Sequence, residues 1–148
     1  MHYEIKIPNR SLLFVGPQRC GKTFAIMAAV AQASQEFKVV VVCPRPQWTG
    51  IVDDLAAFGE LENIVHVSTE CPDVPAYLAS KHLRIADVHA VAIMTSTVFV
   101  DVGTVKFYDK PTDSVISFLE TLCDPKAYLP YVYVESHIAG HENDVAKG

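Results

Sequence analysis

Two glycines, Gly16 and Gly21, bracket the segment Gly16-Pro17-Gln18-Arg19-Cys20-Gly21-Lys22-Thr23, which stands between an apolar run and a run of helix formers. Ser11-Leu12-Leu13-Phe14-Val15 precedes it as a short continuous apolar stretch, the pattern of a strand buried on both faces. Phe24 to Ala33 follows without Gly or Pro and is rich in residues that lose little on entering a helix. Lys38 to Cys43 is then a β-branched run stopped by Pro44. Strand, glycine bend, helix and strand in this order constrain the chain to an α/β fold with parallel strands.

The bend has a chemistry of its own. Glycine reaches backbone conformations that a β-carbon disfavours, so successive N–H groups converge into a concave anion nest. A helix opening near Gly21 aims its free N–H groups and positive dipole end at the same anion. Lys22 adds a mobile point charge suited to β- and γ-phosphates, and Thr23 adds a hydroxyl suited to magnesium.

The segment matches G-x-x-x-x-G-K-[ST] in full, and over about residues 11–45 the chain resembles the P-loop NTPase superfamily. The resemblance implies a three-layer α/β/α fold around a mainly parallel sheet of about five strands. It implies binding of ATP or GTP with Mg2+, ATP being the one taken here, by Gly16, Pro17, Gln18, Arg19, Cys20, Gly21, Lys22, Thr23 and Phe24. Lys22 is then also a catalytic residue and Thr23 a metal ligand. The branch indicated is the RecA-like or FtsK–HerA-like one.

A chain of 148 residues is the size of one domain, here 1–148, with 136–148 read as a loop or tail. Half of its residues are hydrophobic, which suits a covered parallel sheet and argues against disorder. The net charge is −5 with no block of Lys or Arg, so the footprint of a stand-alone nucleic-acid binder is missing. Cys20, Cys43, Cys71 and Cys123 show no close pairing, which fits free thiols in a reducing compartment. The N-terminus lacks a signal-peptide core, and the apolar stretch from Val88 to Val100 is too short to span a bilayer. These features predict a cytoplasmic protein without a membrane partner.

Further along, Arg45 to Gly50 reads as a loop at the carboxyl end of the second strand, and Ile51 to Phe58 as a short helix ended by Gly59. Asn63–Ser68 reads as a third strand, and Val74–Leu83 as a helix with Asp73 as N-cap ahead of Pro75. Val88–Met94 is a fourth, buried strand. Val98–Tyr108 alternates around Gly103, as a hairpin or an irregular excursion. Thr112 or Asp113 caps a helix from Ser114 to Cys123, and Tyr131–Glu135 is a fifth strand.

Hydrolysis requires an acid at the end of a neighbouring strand, and no apolar strand here ends in Asp-Glu. Glu135 follows Tyr131-Val132-Tyr133-Val134 and is the first candidate, as catalytic acid and magnesium ligand. Asp101, after Val98-Phe99-Val100, is a second candidate metal ligand. Asp53 and Asp54 read more simply as solvated acids at a helix start. In another assignment Val91–Ser96 is the acid-bearing strand, with Thr95 in the acid's place and Thr95 or Ser96 holding a metal-bound water. Glu135-Ser136-His137 then becomes a polar strand end facing the γ-phosphate. His137, His141 and Glu142 have metal-like spacing but no third strong ligand, and a polar loop explains them better. Trp48 is a candidate for stacking on a base, with packing on the protein the simpler reading. Arg19 faces either a phosphate or solvent, and Cys20 contributes its N–H more plausibly than a reactive thiol.

These features lead to a Mg-ATP-binding protein, an ATPase acting on nucleic acid or a protein assembly, with a homo-oligomer as one arrangement. Alternatives are a small-molecule or nucleotide kinase, disfavoured by the lack of arginine after Arg84, and a non-hydrolysing nucleotide-binding assembly or regulatory subunit. A GTP switch is disfavoured because no N-K-x-D segment occurs.

Overall fold

The computed structural model describes residues 4–8, 11–15, 21–95, 97–101, 103–124, 126 and 131–136. In chain order the elements are β1 (Glu4–Lys6), β2 (Ser11–Val15), α1 (Lys22–Ser34), β3 (Val39–Val42), α2 (Arg45–Phe58), β4 (Ile64–Val67), α3 (Val74–Ser80), β5 (Ala90–Ile93), β6 (Thr97–Asp101), β7 (Thr104–Phe107), α4 (Asp113–Cys123) and β8 (Tyr131–Ser136).

The apolar runs form one parallel sheet in the order β2-β8-β5-β3-β4. All four valines of β3 are fully buried, which accounts for an unbroken apolar run where a half-exposed strand would alternate. Side chains project from the two faces by turns. Val39, Val41, Ala92 and Tyr133 join a core with Ile26 and Val30 of α1 and Leu55 of α2. Val40, Val42, Val91, Ile93 and Val134 join a second core with Leu78 of α3 and Leu119 of α4.

Ile5, Val105 and Phe107 enter the second core from a separate antiparallel sheet, ordered β1-β7-β6. The alternation around Gly103 is therefore a hairpin, β6 to β7. Gly103 takes φ +83°, a conformation that favours glycine, and its carbonyl accepts a 2.6 Å hydrogen bond from the Ile7 N–H. β1 has no counterpart in the sequence reading. Its three residues pair with Thr104–Lys106, a hundred positions away, and carry no local signal.

Several boundaries differ from expectation. Arg45–Gly50 is the first half of α2, because Pro46 sits in the first helical turn, where its missing N–H costs nothing. α3 stops at Ser80, before Leu83. His82 turns into the left-handed region at φ 58°, and the Leu83 N–H returns to the Leu78 carbonyl at 2.9 Å, which buries Leu83. Ser136 is the last residue of β8 rather than the start of a tail, and 137–148 lie outside the described residues.

Other signals hold. Asp73 accepts from the Ala76 N–H and Thr112 from the Val115 N–H, as N-caps do. Gly59 ends α2 for a reason of space: its backbone is extended, but a β-carbon there would lie 2.8 Å from Ser34 Oγ and 3.0 Å from Ala31 Cα. Among the described residues, no helix is long and apolar enough to cross a membrane.

Candidate functional site

Parallel strands finish at a common edge, and the polar groups of interest gather there. α1 begins directly after Gly21, which holds φ 93° and ψ 8°, a geometry that glycine tolerates and β-carbons resist. The first turn of α1 has no acidic residue of its own, so a carboxylate at its positive end must come from another element. Lys22 is the first helical residue, and Thr23 follows, half-buried.

Thr23 Oγ1 donates a 2.6 Å hydrogen bond to Glu135 Oε2, joining positions 112 apart in sequence. Strand order produces this meeting. β8 is the immediate neighbour of β2, with Phe14 opposite Glu135 and Val15 opposite Ser136. α1 therefore opens beside the last residues of β8. Of the two sequence assignments, Glu135 is the acid brought to Thr23.

A second hydroxyl supports the same residue. Thr97, fully buried at the start of β6, donates from Oγ1 to the Glu135 backbone carbonyl at 2.8 Å. Thr95 and Ser136 are buried polar neighbours in sequence at this end of the sheet. Thr97 is the third residue of Thr95-Ser96-Thr97, and nothing in the sequence sets it apart from the two before it.

Cys43 follows β3 and is fully buried; its thiol is pushed up to about 12, by burial first and by the negative charge of Glu135 second. It is therefore a protonated, unreactive thiol at neutral pH. His66 Nε2 lies 2.8 Å from the Cys43 carbonyl oxygen, so with its proton on that nitrogen the ring donates to it. Trp48 stacks on His66 at 4.8 Å between centroids and 3° between planes. Burial first, with Arg45 adding to it, holds His66 below its ordinary pKa against the opposing bond to Cys43. Trp48 thus packs on a protein ring, the simpler of its two readings.

The remaining candidates are dispersed. Gly16, Pro17, Gln18, Arg19 and Cys20 lie outside the described residues, as do Ser96, His137, His141 and Glu142. Phe24 points outward from α1 with 67% of its surface exposed. Asp53 and Asp54 are exposed in the middle of α2, not at its start. Asp101 is paired with Thr104 at the hairpin end of β6. Four residues of strand, roughly 13 Å, separate it from Thr97, so the backbone does not bring it beside Thr23 and Glu135.

The donor set suits a hard cation. Thr23 and Glu135 offer a hydroxyl and a carboxylate oxygen within one coordination shell of each other. Among the described residues, no group of three or more His, Cys, Asp or Glu could form an all-protein metal cage. Magnesium does not need one, since it keeps several waters and takes oxygens from bound phosphates.

Comparison with known proteins corrects the family reading. No family model matches the chain, and no curated protein matches it. A solved structure that matches is SulA from Pseudomonas aeruginosa, at 10% identity and a TM-score of 0.43, over 87% of this chain and 99% of that one. No comparison supports membership of the superfamily or of its RecA-like or FtsK–HerA-like branch, and that reading is withdrawn. The ATPase acting on nucleic acid or a protein assembly is withdrawn with it, as is the kinase alternative. A likeness at this level transfers no property of SulA to the present chain.

Proposed function

We propose that the carboxyl edge of the parallel sheet binds a nucleoside triphosphate, ATP, together with Mg2+. The fold that serves this is a three-layer α/β/α arrangement in one domain, with residues 16–21, between β2 and α1 in sequence, supplying the anion-binding amides. Lys22 neutralises the outer phosphates. Thr23 and Glu135 would hold the cation, and the cation would supply charge neutralisation between phosphate oxygens. The proposal concerns binding and assigns no reaction.

The observation that supports it above all is the 2.6 Å Thr23–Glu135 contact directly after the helix start. A glycine with positive φ, a helix opening with no acid in its first turn, a lysine, and a hydroxyl–carboxylate pair meet at one sheet edge. An anion accompanied by a hard cation satisfies all of them at once.

Titration calorimetry of the purified chain with ATP, with MgCl2 and with EDTA, tests this. Heat of binding is expected with magnesium and is expected to fall about tenfold or more in affinity for Lys22→Ala, through loss of a charge-assisted contact. No heat and no thermal shift with ATP, GTP or pyrophosphate would overturn the proposal.

A further inference from the structure

We infer that Thr97 is a positioning residue for the Glu135 carboxylate, and that it sets how strongly magnesium contributes to ligand affinity. The inference rests on the reading of Glu135 as a cation-holding group. It starts from a mismatch between two ladders. On one side β8 pairs with β2 as far as Val15 opposite Ser136. On the other, its pairing with β5 stops at Ile93 opposite Val134. Glu135 is the first residue of β8 to have lost its β5 partner.

Thr97 fills that place. The chain leaves β5, passes the buried Thr95, and returns as β6 with Thr97 fully buried and its hydroxyl 2.8 Å from the Glu135 carbonyl. A side chain thus replaces the ladder bond that the departing strand no longer supplies. The β8 backbone stays in line for one more residue, and that residue carries the carboxylate that meets Thr23. Packing alone does not call for threonine at this position, because valine has the same shape and avoids burying a hydroxyl. Partners of metal-holding side chains act in this way, by restricting the ligand's orientation rather than by touching the metal.

The test compares ATP affinity in magnesium with affinity in EDTA for wild type, Thr97→Val, Thr97→Ser and Glu135→Gln, with a thermal midpoint for each. Glu135→Gln should erase most of the magnesium-dependent gain. Thr97→Val should reduce that gain by about tenfold, leave affinity in EDTA unchanged, and be rescued by Thr97→Ser. Thr97→Ala is read in the same way if the valine variant does not fold. An undiminished gain in Thr97→Val overturns the positioning role and leaves the binding site standing. Parallel losses in magnesium and in EDTA also overturn it, because they mark a general structural effect. A wild type that binds ATP without any magnesium-dependent gain, or does not bind it, overturns both readings.

Discussion

The five parallel strands and the three antiparallel ones share a hydrophobic core, yet their sequences specify them differently. In β3 and β5 every side chain is buried, so each strand announces itself by composition over four residues. In β7 burial alternates, with Val105 and Phe107 inside and Lys106 outside, and β1 shows the same pattern around Ile5. Such short alternating pieces acquire meaning only through their partner, and Ile5 finds Val105 across most of the chain. The parallel sheet ends in the groups that meet at Thr23, whereas the antiparallel sheet contributes one hydroxyl, that of Thr97.

The largest test of this contrast asks whether the small sheet is integral. Phe107→Ala should cost about 3–5 kcal/mol and Ile93→Ala about 2–5 kcal/mol, since both side chains are fully buried in one core. Urea unfolding should remain a single transition in both. An early, separate transition in Phe107→Ala would show that the antiparallel sheet is an appendage.

Two glycines of α2 and its end sharpen the comparison at the level of packing. Gly59→Ala should destabilise by about 1–3 kcal/mol, because the new β-carbon meets Ser34 and Ala31 at 2.8–3.0 Å. Gly50→Ala should instead stabilise by roughly 0.5–1 kcal/mol, since nothing lies within 4 Å and the position is helical. Thermal midpoints moving in the same direction would refute the spatial account of Gly59.

A smaller effect is expected with pH. The folded pKa of His66 lies below its unfolded value, so the unfolded chain binds the proton more readily. The corresponding stability is present above about pH 6.5 and is lost as pH falls through the lowered folded value. The thermal midpoint of the wild type should therefore drop between pH 7.5 and 5, and His66→Phe should flatten the drop. Smallest of all, Lys106→Ala on the exposed face of β7 should stay within about 0.5 kcal/mol, a loss limited to its cross-strand pairing with Glu4.

Much of the parallel sheet was legible because Val39–Val42 and Ala90–Ile93 are apolar whatever their neighbours are. The beginning of α2 was not, because Pro46 and Gly50 are loop signals in isolation and only the helical frame makes them first-turn and mid-helix residues. Glu135 could be picked out as a strand-end acid, but its meeting with Thr23 depends on β8 standing next to β2, and strand order is a property of the assembled sheet. Asp101 carried the same local signal and lies at a hairpin end. Thr97 shows the limit of local reading: its role comes from a ladder ending one residue early in another element.

Strand β2 closes one side of the parallel sheet, with β8 as its single neighbour among the described residues. A strip fastened along one margin peels more readily than one stitched along both, so its amides should exchange with deuterated solvent sooner than those of β3, which has β4 and β5 on either flank. A guest gripped at once by Thr23, just past the end of this strip, and by Glu135, on its neighbour, would act as a clasp across the seam. Protection of β2 against exchange should then rise with occupancy, making this edge strand a gauge of the proposed binding site.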